Sequence, residues 1–141
     1  MDNTSEIKIH WSFWLISVLM LVWNLMGGIN FLIQMNPEMI ASYRETEQAI
    51  IQGRPSWATI SFAIAVFGGA IACVVLLLRR ALAYYLFIIS LLGVILTTIH
   101  TLSIDADFSM GEMAGIIFMP NAVAIFLVWY SKYAERKLWL R

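Results

Sequence analysis

Three amide side chains share one face of the first long apolar stretch. Asn24, Asn30 and Gln34 fall, with Gly27 and Phe31, within an arc of about 120° when residues are laid out at about 100° each. An amide both donates and accepts, so such a face suits the hydroxyls of an uncharged polar ligand. It also suits interhelical bonding, in which amides satisfy neighbouring helices or open backbone. A second polar face carries Ser90, Gly93, Thr97, His100 and Thr101 within about 100° of arc. Asn24, Asn30, Gln34, Thr97 and His100 therefore form the candidate solute-contacting or interhelical polar face.

His100 is followed by Asp105, Asp107 and Glu112, a set of metal-ligand types. The spacing matches no strong metal motif, and a solvated acidic loop is the expectation, with no metal and no cofactor. No HExxH or GxSxG pattern occurs. No Asp, Glu, Lys or Arg lies deep in an apolar stretch, which argues against a proton relay or an ion-coupled carrier. Cys73 is the single cysteine, so neither an intrachain disulfide nor a CxxC site can form. The chain is expected not to be an enzyme.

The elements that must position these residues follow from composition. Of 141 residues, 61% are hydrophobic and 13% charged, with nine basic and nine acidic side chains. The mean hydropathy is +0.80. A soluble domain carries about 25% charged residues, so this chain has too little polar surface to coat a globule in water. A disordered chain and a nucleic-acid binder are excluded on the same ground. The fold class expected is an all-α integral membrane protein, a single domain with four transmembrane helices in an up-down bundle.

A span needs about 20 mostly apolar residues. Four segments meet this, at about 11–33, 57–78, 81–101 and 113–131. The first lacks a short apolar core and a small-residue cleavage site, so it reads as a retained helix rather than a cleaved leader. Lys8, Arg79, Arg80, Lys132, Arg136, Lys137 and Arg141 flank one side of these spans, against Arg44 and Arg54 on the other. The excess places both termini in the cytoplasm, and a bacterial inner membrane is the expected location. Between the first two spans, about 36–52 reads as one amphipathic helix on the outer side. Asn36 is its cap, Pro37 its first residue and Gly53 its stop. The tail from Lys132 reads as an interfacial anchor on the inner leaflet.

Two further features bear on packing. Ser61, Ala65, Gly68, Gly69 and Ala72 recur at intervals of three or four, a small-residue face for close helix packing or for a homodimer. In the fourth span Pro120 removes one helical hydrogen bond, and with Asn121 beside it marks a candidate kink.

Trp23-Asn24-Leu25-Met26-Gly27, Pro37-Glu38 and Arg54-Pro55-Ser56-Trp57-Ala58 occur here together with Phe62 to Gly69 and with Leu76-Leu77-Leu78-Arg79-Arg80. In this combination the chain resembles a family of small four-helix bacterial inner-membrane proteins of unknown function, whose members commonly carry the label "sugar transporter". The resemblance covers about residues 14–95. It implies a transport-related role and carries over no catalytic or binding residues. The expected function is therefore a small neutral-solute, sugar-like transporter or facilitator acting as a homo-oligomer. The alternative is an accessory or structural membrane protein that binds a partner protein or lipid.

Overall fold

The computed structural model describes residues 6–141. Among these residues all regular structure is helical. The four long helices are α1 (Trp11–Gln34), α4 (Ser56–Leu77), α5 (Ala83–Ser103) and a last one running Met110–Arg136. Each is long and apolar enough to cross a bilayer, so the chain is a multi-pass membrane protein. Large side chains such as Leu19, Leu92 and Ile125 stay more than half exposed, at 53%, 56% and 57%. That apolar surface is tolerable against lipid tails and untenable in water.

α4 and α5 pack most closely, α1 lies on α4, and the last helix lies on α5. α1 and the last helix share no comparable contact along their lengths. The α4–α5 contact depends on small residues: Ser61, Ala65, Gly69 and Ala72 are buried, while Gly68 is half-buried. Ser90 Oγ donates to Ala65 O at 2.7 Å across this interface. The small face is thus occupied inside the chain by α5 and α1, and a homodimer on it would have to displace them.

The connector between α1 and α4 is not one helix over 36–52. It is two short ones, α2 (Pro37–Ile40) and α3 (Glu45–Gln52). Asn36 caps α2, its Oδ1 accepting from Glu38 N–H at 3.1 Å. Side chains then compete with the helical ladder and stop it. Ser42 Oγ donates to Met39 O at 2.6 Å, and Gln48 Nε2 donates to Tyr43 O at 2.7 Å. A new helix starts after Arg44, whose backbone is extended and whose N–H donates to Glu47 Oε2 at 3.3 Å.

The last helix contains α6 (Met110–Met113), a π-helical turn over Ala114–Phe118, and α7 (Met119–Arg136). The π turn stands directly before Pro120, which has no N–H to donate back to Ile116 O. Asn121 braces the irregular register: its Nδ2 donates to Ile117 O and to Thr98 Oγ1, both at 2.8 Å.

The C-terminal segment is not simply an extension along the membrane surface. α7 runs to Arg136, and the following residues fold back on the Arg79–Arg80 turn. Arg141 N–H donates to Arg79 O at 2.7 Å, Ala81 N–H to Arg141 O at 2.8 Å, and Arg79 Nε to Trp139 O at 2.8 Å. Phe13, Leu76, Phe87, Leu127, Tyr130 and Leu140 form a buried cluster behind this lock. The bundle end that carries the termini is therefore closed by packed side chains.

α4 and α7 end alike. Arg80 N–H bonds Val75 O and Arg79 N–H bonds Leu76 O; Trp139 N–H bonds Ala134 O and Leu138 N–H bonds Glu135 O. This is the Schellman pattern, which normally places glycine at the left-handed residue. Here that residue is Arg79 (φ 60°) or Leu138 (φ 59°). Leu138 is 63% exposed, so its side chain contributes little packing to offset the left-handed strain. Leu138→Gly is expected to stabilise the protein by about 1 kcal/mol, measured as a rise in thermal unfolding temperature in detergent.

Candidate functional site

The polar face of α1 and the polar face of α5 point into the same space. A cavity of about 410 Å³ lies between α1, α4, α5 and the last helix, and Asn24, Asn30, Gln34 and Thr97 all line it. Its far walls are apolar and include Phe62, Val66, Val94, Val123 and Leu127. Pro120 and Ile116, at the π turn, also line it. The irregular register of the last helix thus lies where its backbone borders the cavity.

Each amide has a fixed setting. Asn24 is buried, and its Nδ2 donates to Met20 O at 2.9 Å and to Cys73 Sγ at 3.7 Å. Gly69 makes this possible: a methyl group there would overlap the Asn24 carboxamide. Asn30 Oδ1 accepts from Tyr43 Oη at 2.6 Å, and Gln34 Oε1 accepts from Arg54 Nη2 at 2.8 Å. Thr97 Oγ1 donates to Gly93 O at 2.8 Å. The hydroxyl is thus tied to its own helix.

His100 does not belong to this wall. It is 3% exposed, lies edge-on to Trp57, and its Nε2 is 3.2 Å from Ile50 O. Its arc position matches that of Thr97, but its depth places it under the connector, where it joins α5 to α3. Nor does it assemble a metal site with Asp105, Asp107 and Glu112. Among the described residues no group of three or more His, Cys, Asp or Glu could hold a metal ion. Glu112 instead accepts from Thr46 Oγ1 at 2.5 Å and from Ser109 N–H at 2.9 Å.

The connector supplies what the spans lack. Tyr43, Glu47, Ile50, Ile51 and Arg54 line the cavity at its end remote from the termini. The connector is held over that end by Tyr43 to Asn30, Arg54 to Gln34, His100 to Ile50 and Thr46 to Glu112. Burial raises the Tyr43 phenol above its ordinary pKa, with the Glu47 carboxylate acting the same way and Gln34 and Arg54 opposing. It therefore stays a neutral donor to Asn30. Tyr43→Phe removes one of these four ties, a cost of about 1 kcal/mol. Faster amide exchange in the connector is expected, with exchange in α4 and α5 unchanged.

Arg54 is the residue that sequence reasoning missed. It occupies the short link between α3 and α4, and its guanidinium stacks over the Phe62 ring at 5.0 Å. Burial lowers its pKa from the ordinary arginine value, with Tyr43 opposing. Nη2 is bonded to Gln34, but Nε and Nη1 are buried with no partner. Among the described residues the salt bridges are Arg44 with Glu112 and Lys132 with Glu135, so no carboxylate lies within 4.0 Å of Arg54. A desolvated cation with open donors is costly unless something pairs with it.

No family model, curated protein or solved structure matches this chain.

Proposed function

We propose that the protein binds a small organic solute in this intramembrane cavity and passes it across or along the bilayer. The carrying observation is the convergence of Asn24, Asn30, Gln34 and Thr97, from two different helices, on one cavity of about 410 Å³. Interhelical bonding alone does not account for it. Asn30 and Gln34 do not bond to other spans; they bond to the connector, at the mouth of a space they also line. Cavities of this size with a few placed polar groups on mostly apolar walls are the common form of a small-molecule site.

The solute is polar at one end. A sugar-like compound, expected from the amides alone, would find partners near the connector. Its other hydroxyls would face Val66, Val94, Val123 and Leu127. In the proposed arrangement the four spans run up and down in a bacterial inner membrane, with both termini cytoplasmic by the basic-residue excess. The two-part connector then lies at the outer surface as a lid, with Ile50 and Ile51 facing inward. The locked C-terminal segment closes the inner end, so passage requires that lock to open, or assembly into an oligomer. Proteoliposome uptake across a panel of labelled polyols, sugars and carboxylic acids tests the proposal. Saturable uptake of at least one is expected; uptake equal to empty liposomes for all, with no binding in detergent, overturns it.

A further inference from the structure

The cavity has chemical polarity that the amides alone do not explain. Its connector end holds Arg54 with two unpartnered nitrogens, and its other end is mostly aliphatic, with the Asn24 amide and the Ser90 hydroxyl there already donating within the bundle. It also reaches the lipid-facing surface. Met26 and Trp23 of α1 both line the cavity and are 63% and 38% exposed. Across from them, Gly115 lines the cavity and has nothing within 4 Å of where a side chain would begin. α1 and the last helix make no extended contact that would close this side. A path therefore runs sideways from the bilayer into the cavity.

We propose that the cavity receives a single-chain amphiphile with an oxyanion head, which enters between α1 and the last helix and pairs its head with Arg54. This rests on the solute-cavity reading above and names the class of solute. The apolar chain lies against Val66, Val94, Val123 and Leu127. The head meets the guanidinium, with Tyr43 and Asn30 beside it as further hydrogen-bonding groups. Arginine is the side chain best suited to a carboxylate or phosphate, because its fixed donors match two acceptor oxygens. Nε and Nη1 are covered as the connector stands, so the head group reaches them as the connector shifts. The break between α2 and α3 at residues 41–44 gives the connector a place to bend. Glu47 also lines the cavity, but its Oε2 accepts from Arg44 N–H at 3.3 Å, which draws its charge toward the start of α3.

The test uses the full chain in lipid nanodiscs, with empty nanodiscs as background. Decanoate, decyl phosphate and 1-decanol are compared by isothermal titration. The wild type is expected to prefer at least one anion over decanol by about tenfold, and the preferred head separates a carboxylate from a phosphate ligand. Arg54→Gln is expected to lose that preference while still binding decanol; Arg54→Lys keeps the charge without the fork and is expected to fall between. Equal affinities for all three in the wild type, or an intact anion preference in both folded variants, overturn the assignment to Arg54 while leaving the cavity reading standing. Failure of the wild type to bind any of the three overturns this proposal. If the uptake panel is also silent, the cavity reading falls with it.

Discussion

Gly93→Ala is expected to destabilise the protein by about 3 kcal/mol. A Cβ at Gly93 would sit 2.7 Å from Ser61 O and 2.8 Å from Ala65 N. Both are backbone atoms of α4, so relief requires the two helices to separate rather than one side chain to turn. Separation would also stretch the bond from Ser90 Oγ to Ala65 O, which crosses the same interface at 2.7 Å. Gly68→Ala is the matched control. There the new carbon would meet Ser90 Cβ at 3.8 Å, an ordinary contact, so no loss is expected, and alanine's better helix propensity is expected to stabilise by up to about 1 kcal/mol. Thermal unfolding in detergent compares the two. Equal losses would show that close backbone approach at Gly93 is not what holds α4 to α5.

Thr97→Trp is expected to abolish solute binding while leaving the fold intact. Thr97 is half-buried and faces the cavity, so an indole there projects into open space rather than into a packed layer. The ring would occupy the space facing the amide side chains within the roughly 410 Å³ cavity, and binding is expected to weaken by at least about 100-fold, or about 2.7 kcal/mol. An unchanged unfolding temperature alongside lost binding separates occlusion of the cavity from misfolding. Wild-type affinity in a folded Thr97→Trp protein would place the ligand elsewhere.

Much of this architecture is legible in the sequence because hydropathy and helical period are local properties. The four apolar runs became the four long helices, with ends shifted by a few residues, except that the last extends to Met110–Arg136. The Asn36 cap is likewise a local signal, and it formed as its residue types dictate. Asn24, Asn30 and Gln34 could be grouped on α1, and Thr97 with Ser90 on α5, because arc position within a helix is fixed at about 100° per residue. His100 shows the limit of that argument. Arc position says which side a residue faces, not how deep it lies or what folds over it, and Trp57 and Ile50 cover it. The break in the connector depends on Ser42 and Gln48 outcompeting one helical turn, too fine a balance for periodicity to register.

Arg54 was hidden for a different reason. In the sequence it is one of two basic residues on the side poor in basic residues, useful only for counting. Its meaning arises when the connector folds back and sets it over Phe62 beside Gln34. The only local hint is that a lone arginine stands between Gly53 and Pro55, immediately before a span, where its side chain can fold along the helix it precedes.

Thiol labelling tests, without knowledge of the ligand, whether polar solutes reach the space between the amide face of α1 and the polar face of α5. Cys73 is the single cysteine and is buried, so a Cys73→Ala background carries one engineered thiol at a time. Thr97→Cys would face the cavity; Leu96→Cys, at a position 44% exposed on the outer surface of the bundle, would face lipid. A small charged methanethiosulfonate applied to the protein in nanodiscs is expected to modify Thr97→Cys readily and Leu96→Cys hardly at all, with Tyr43→Phe accelerating the first. Equal resistance of both thiols, with and without the Tyr43→Phe change, would contradict the account.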